Sequence, residues 1–303
     1  EFHMDNHLML DKIDFVTGTI TIEGKKYMLR DHNFPTVNPE RPYELTQAEN
    51  ELMELLRSSF LHSEKLQRHI RFIYNKGSIY LNINNNLLYH GCIPMNPDGS
   101  FHEVTLGGEK VKGKALMDKA EIIAREGYFA KHGTPEKKYG EDFLWFLWCG
   151  CYSPVYGKNK MTTFERYFIE DESTWTEIKD PYYKLIEKAE ICNKILREFG
   201  IKPNSFSHII NGHVPVKIKK GESPIKAGGK LLVIDGGLSR AYQSQTGIAG
   251  YTLLFNSHGL LLSAHDAFES VETAVTKDED MYSTLDVIER APKRLLAEDT
   301  DKG

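Results

Sequence analysis

An α/β fold is what this sequence predicts, and three observations carry that expectation. Short apolar runs of strand length end on glycine or histidine, longer stretches repeat their apolar residues at helical spacing, and 40% hydrophobic content in 303 residues is enough for a substantial core. A net charge of -5, from 43 acidic and 38 basic residues, makes no electrostatic case for a polyanion, so nucleic acid is not an expected partner. Four cysteines, at 92, 149, 151 and 192, are too few and too irregular for a disulfide framework, which points to a reducing cytoplasm. No apolar run reaches the roughly 18 residues of a membrane span and no signal segment opens the chain, so no membrane association is expected. The chain begins Glu1-Phe2-His3-Met4 and reads as part of something longer.

Near the start of the chain, residues 8–29 alternate apolar and polar side chains around Thr17-Gly18 and Glu23-Gly24, which is hairpin chemistry. Pro35, Pro39 and Pro42 make a stiff connector. From 46 to 77 the pattern is helical, with Leu52, Leu55, Leu56, Leu61, Leu66, Ile70 and Ile73 in the repeat and Gly77 as the stop. Strands are expected at 78–84 and 87–89, the second ending at His90-Gly91, and a helix at 112–130. Phe143, Trp145, Phe146 and Trp148 read as core.

A helix is predicted from Asp180-Pro181, an N-cap followed by proline, to Gly200, with Leu185, Ala189, Cys192, Leu196 and Phe199 as its buried stripe. Strands at 207–212 and 230–236 and a hairpin at 251–265 should share one sheet. The remainder is expected to be an exposed tail, polar to 280 and weakly helical to 296. The organisation is therefore a hairpin and long-helix subdomain at 1–77, a main domain at 78–265 and a polar tail at 266–303.

Two strings place a histidine against glycine at the end of an apolar run. They are Leu87-Leu88-Tyr89-His90-Gly91-Cys92-Ile93-Pro94 and Ile209-Ile210-Asn211-Gly212-His213-Val214-Pro215-Val216. Neutral imidazole is a common ligand for manganese, zinc or iron, and glycine beside it lets the backbone turn and a metal approach. A third string, Leu232-Val233-Ile234-Asp235-Gly236-Gly237-Leu238-Ser239, comes some way after His213. Cys149-Gly150-Cys151 lacks a second pair at ligand spacing and reads as packing, not a zinc site.

This order, strand-end His-Gly, then Gly-His, then Ile-Asp-Gly-Gly, resembles the C-terminal half of calcineurin-like metallophosphatases. The finer similarity is to class III (Firmicutes-type) fructose-1,6-bisphosphatases, through residues 2–12, 88–94, 153–158, 160–168 and 211–217. The resemblance implies a metallophosphatase-type sandwich of two β-sheets flanked by helices, of which this chain would supply one sheet. It also implies two divalent metal ions, manganese first among them, with His90 and His213 on the same ion and a bridging hydroxide attacking the 1-phosphate of fructose 1,6-bisphosphate in gluconeogenesis. Asp235 would act behind the ligands.

Lys158, Lys160 and Arg166 lie in a matched segment and are candidates for the sugar bisphosphate's second phosphate. The Gly-Asp-x-x-Asp-Arg and Gly-Asn-His blocks of such enzymes do not occur in this sequence. Catalytic residues are therefore expected upstream, on a missing N-terminal half that would be the chief partner, and one face of the sheet is expected to be bare. Asp5-Asn6-His7 fits a further ligand pattern, Asp-x-His, only by its letters. A protein phosphatase of the same superfamily and a non-catalytic binding or assembly module are the alternatives, and a homo-oligomer stays open.

Overall fold

A computed structural model describes residues 1–301 apart from 236–243, 245, 267–269, 271, 273–274 and 277–282. It is a mixed α/β structure whose backbone divides into two compact units, one of residues 1–78, 121–153 and 158–179, the other of 79–120, 154–157 and 180–303.

In the first unit, β1 (Ile13–Asp14), β2 (Thr19–Ile22) and β3 (Lys25–Met28) form the expected antiparallel meander, closed by Ile13, Ile20, Leu29 and Ile169. The predicted long helix is two: α1 (Gln47–Leu61) and α2 (Glu64–Lys76). They break at His62, where Ser63 accepts a hydrogen bond from Leu66 N and starts a new helix, so a serine inside the apolar repeat acts as an N-cap. Thr46 and Glu49 cap α1 reciprocally.

None of the residues of α1 is buried, and Leu52, Met53, Leu55, Leu56 and Phe60 face solvent. Because exposed side chains lose little contact when trimmed, Leu52→Ala and Leu56→Ala should each change the stability of this chain by no more than about 0.5 kcal/mol. Leu87→Ala in the core should cost roughly 2–5 kcal/mol. Urea unfolding curves of the three variants check the contrast.

In the second unit, β4 (Tyr80–Ile83), β5 (Asn86–Tyr89), β8 (His208–Asn211), β9 (Ile225–Lys226) and β10 (Leu231–Val233) make a sheet in the order β4-β5-β8-β10-β9. β6 (Val104–Leu106) and β7 (Glu109–Val111) form a small hairpin. β5, β8 and β10 run parallel, with Leu87 opposite Ile209 and Ile209 opposite Leu231. Side chains alternate across this sheet. Leu87, Ile209 and Leu231 join Cys192, Ile195 and Leu196 of a helix, while Ile210 and Leu232 meet Leu260 on the other side.

That second layer corrects two expectations. The hairpin β11 (Gly250–Asn256) and β12 (Gly259–His265) turns where predicted but does not enter the sheet of β8 and β10. It pairs with β13 (Ser283–Arg290), a strand where a frayed, weakly helical tail was expected, and the three-stranded sheet covers the face predicted to be bare. Exposed apolar side chains are instead plentiful on α1 and at Phe72 and Ile73 of α2.

Helix α3 (Gly113–Phe129) is as expected. The aromatic cluster sits on α4 (Pro135–Cys149), where Phe143 and Phe146 are buried and Trp148 is exposed. After α5 (Thr163–Phe168), the helix predicted at 180–200 is also divided, into α6 (Tyr182–Leu185) and α7 (Ala189–Glu198). Cys192, Leu196 and Phe199 are buried as predicted. Among the described residues no helix is long and apolar enough to cross a membrane.

Asp180 stands two residues before the first of these helices. Its Oδ1 accepts from Tyr182 N at 2.8 Å and from Met95 N at 3.1 Å. Burial raises its pKa, and the two amide bonds and His102 act in the opposite sense. Asp180→Ala should cost about 1–3 kcal/mol by orphaning buried amides, and Asp180→Asn, which keeps the acceptor, less. A carboxyl with a raised folded pKa adds most stability when protonated, and that contribution is lost as pH rises through the raised value. The difference between wild type and Asp180→Asn in melting temperature should therefore move in the variant's favour as pH rises from below the ordinary carboxylate range, which a pH series of melts checks.

Candidate metal-binding site

Parallel pairing of β5, β8 and β10 carries His90, His213 and Asp235 out at the same, C-terminal edge of the sheet. In open α/β sheets that edge is where ligands bind. Backbone bonds stitch the strand ends: Gly212 N donates to His90 O (3.1 Å), Ile234 N to Asn211 O (2.9 Å) and Val216 N to Asp235 O (2.8 Å).

His90 Nε2 lies 2.9 Å from His213 Nδ1. The other nitrogen of His213, Nε2, is 2.9 Å from the carbonyl oxygen of Tyr156. A carbonyl only accepts, so His213 Nε2 carries the proton. In the neutral ring Nδ1 then has a lone pair, to which His90 Nε2–H donates. Burial lowers the pKa of His90, partly opposed by the charge of Asp235, although the ring keeps an edge open to water. A lowered pKa favours the neutral imidazole that a metal requires.

Zinc–nitrogen bonds of about 2.0–2.1 Å put two neighbouring ligand nitrogens roughly 3–3.5 Å apart. The pair at 2.9 Å is thus close to the spacing of two ligands on one ion, and a shift of the shared proton to His90 Nδ1 would leave both facing nitrogens with lone pairs for a metal. The Tyr156 carbonyl would orient the ligating ring, as outer partners commonly do. These two nitrogens fit one side of a coordination sphere, but among the described residues no group of three or more His, Cys, Asp or Glu could complete one.

The glycines work differently from the expectation. A Cβ on Gly91 would sit 2.5 Å from Pro154 O and 2.9 Å from Val155 O. Gly91 is there because the 154–156 backbone presses against it, and Cys92 N donates to Pro154 O at 2.8 Å. A Cβ on Gly212 would meet Asp235 Cβ at 3.5 Å and His90 O at 3.9 Å, both ordinary contacts. The sharp turn is taken one residue later, by His213 itself at φ 67°. Residues 154–156 therefore touch both histidine segments. The side-chain pattern did not reveal this role, because carbonyl oxygens do the work.

Gly236 to Ser239 of the third string lie outside the described residues. Asp5-Asn6-His7 falls in a short 3₁₀ turn, with the His7 ring edge-on to Trp145 at 4.8 Å. Cys149 is buried and Cys151 exposed, and neither is in a disulfide.

Lys158, Lys160 and Arg166 belong to the first unit. Lys158 Nζ donates to Glu177 Oε2 at 2.7 Å, and Thr162 N and Oγ1 donate to Glu177 Oε1 at 3.1 Å. Burial raises the pKa of Glu177, but the Lys158 and Thr162 contacts outweigh it and hold the carboxyl below its ordinary value. Lys160 Nζ lies 3.6 Å from Glu23, and Arg166 donates to Thr162 Oγ1 (3.0 Å) and Trp175 O (2.9 Å).

A family model described as Firmicute fructose-1,6-bisphosphatase matches residues 1–303. Among curated relatives, a protein of Alkaliphilus metalliredigens named fructose-1,6-bisphosphatase class 3 is 57% identical over 304 residues, and proteins of the same name from Clostridium novyi and Clostridium botulinum are 53% and 54% identical over 303. Each alignment takes in 100% of this chain but only 45–46% of the relative, so the chain spans less than half their length. No solved structure matches. With the family model running through both units and the histidine segments alike, the chain belongs to the Firmicute fructose-1,6-bisphosphatase family.

Proposed function

We propose that this chain forms the C-terminal half of an enzyme that hydrolyses the 1-phosphate of fructose 1,6-bisphosphate to fructose 6-phosphate in gluconeogenesis, in the cytoplasm. Residues 78–265 would contribute to a metallophosphatase domain. The observation that carries the reading is the His90–His213 pair at the carboxyl ends of adjacent parallel strands. Family membership supports the substrate.

In this reading His90 Nε2 and His213 Nδ1 hold one of two divalent ions, most simply Mn2+, and the remaining donors and catalytic groups come from the rest of the longer protein. Two such ions, when bound, neutralise charge on the phosphoryl group and activate water. The chain's own part is to present two neutral nitrogens from one side, keep His213 in one tautomer through Tyr156 O, and move the His90 proton from Nε2 to Nδ1 as a metal enters. Lys158, Lys160 and Arg166 are proposed to meet the second phosphate. Each now has an internal partner, so phosphate would have to compete with Glu177, Glu23 or the Trp175 carbonyl.

Phosphate release by the full-length protein in Mn2+, from fructose 1,6-bisphosphate and from a phosphopeptide, tests this directly. The sugar bisphosphate should be the substrate. His90→Ala and His213→Ala should each lower activity by at least on the order of 100-fold, beyond the 10–100-fold typical of residues that only support a ligand. Preference for the phosphopeptide, or full activity in either variant, would defeat the proposal.

A further inference from the structure

Beneath the histidine pair lies a buried chain of polar groups. Alternation on β5 and β8 turns Tyr89 and Asn211 to the same side of the sheet as Leu87 and Ile209, where Tyr182 of α6 waits. All three are buried. Asn211 Nδ2 donates to Tyr182 Oη at 2.7 Å, and the Tyr182 and Tyr89 hydroxyls are 2.6 Å apart. The same Nδ2 points, at a longer 3.4 Å, to Gly91 O. Asn211 Oδ1 is buried and has no partner among the described residues. Turning the amide over would satisfy that oxygen on Tyr182 but set it against the Gly91 carbonyl, so the nitrogen faces both.

We propose that Asn211, steered by Tyr182 and Tyr89, is a positioning residue that sets the spacing of His90 and His213. The covalent neighbours make the case. Tyr89 precedes His90, Gly91 comes directly after it, and Asn211 stands two residues before His213. One buried network thus holds the strand on either side of one histidine and the lead-in to the other. Backbone pairing brings the strand ends together. The side-chain chain, anchored on a helix, resists their sliding or spreading. Good outer-sphere support of this kind fixes ligand geometry to within a fraction of an ångström.

The inference rests on the reading that His90 and His213 act as a pair, and its test separates the two. The probes are imidazole 15N NMR of the metal-free chain, reading the His90 Nε2–His213 Nδ1 hydrogen bond, and titration with Ni2+ alone, chosen because imidazole holds it more tightly than Mn2+. Thermal melting of each variant reports any merely structural loss. In folded Tyr182→Phe and Asn211→Asp the imidazole coupling should disappear and Ni2+ binding should weaken roughly 10–100-fold. Tyr89→Phe, which spares the Asn211–Tyr182 contact, should weaken it about threefold, below that same range.

Should Tyr182→Phe and Asn211→Asp fail to fold, Tyr89→Phe decides. Wild-type coupling and wild-type Ni2+ affinity in the folded variants overturn the proposal. If His90→Ala leaves Ni2+ affinity of the chain unchanged, it is the metal reading that fails, while the NMR signal still judges the positioning.

Discussion

Gly91→Ala is expected to disable the site from a position that makes no contact through a side chain. The new methyl would enter the space of Pro154 O at 2.5 Å and Val155 O at 2.9 Å, distances that real carbon–oxygen contacts do not tolerate. Neither obstacle is a flexible side-chain end that could swing aside. The 154–156 segment must move, or the 90–92 segment must. If the former moves, Tyr156 O leaves His213 Nε2; if the latter moves, His90 leaves His213. Either way the pair loses a contact that holds it.

Overpacking of this kind costs roughly 1–3 kcal/mol in stability. The loss of ligand support should weaken metal binding by a further factor of about 10–100. Gly212→Ala is the matched control, because its methyl makes only ordinary contacts, with Asp235 Cβ at 3.5 Å and His90 O at 3.9 Å, and its φ lies outside the left-handed region. Urea unfolding and Ni2+ titration of both variants measure the contrast. Equal behaviour of the two would show that the 154–156 backbone has room to yield.

Side-chain patterns reach their limit at these two glycines. The strand-end histidines were legible because apolar alternation locates a strand, and the residue after the last apolar one must leave at its end. Parallel neighbours then bring such ends together. Tyr156 offered no comparable signal, since it serves through a carbonyl that every residue has, and at Gly91 the expected turn and metal approach give way to close packing against the 154–155 backbone. Helix boundaries inside long apolar repeats were also hidden. Ser63 and Lys188 interrupt patterns that a period of 3.6 reads as continuous, because one polar residue looks like a surface position until the helix start beside it is seen. The exposed stripe of α1 was legible as a pattern but not as exposed: periodicity says which face is apolar, not whether anything covers it.

β13 was the larger omission, and its anchor leads to the second large effect. Five of its eight residues, Ser283, Thr284, Asp286, Glu289 and Arg290, are charged or hydroxylated, which obscures a strand that is itself largely exposed on the outside of a buried partner, β12. What ties it inward is Glu289, whose Oε2 is 2.8 Å from His208 Nε2. His208 is the first residue of β8, and its Nδ1 is 2.7 Å from Gly229 O. Both ring nitrogens lie within hydrogen-bond distance of an acceptor, so the imidazole joins the Glu289 carboxylate of β13 to the Gly229 carbonyl. The two side chains are 5% and 13% exposed, too little for water to replace a lost partner.

His208→Ala is therefore expected to destabilise the chain by about 3–5 kcal/mol, the cost of stranding a buried charge. Glu289→Gln in the same background removes that stranded charge and should recover part of the loss. A double-mutant cycle by urea unfolding gives the coupling, and hydrogen exchange across residues 283–290 shows where it acts. Protection of β13 should fall in His208→Ala well before that of β8, which is held on both sides by β5 and β10. Additive costs in the cycle, or loss of protection spread evenly over both sheets, would mean that the pair is incidental and that apolar packing at Leu260 and Ile288 alone holds the second sheet in place.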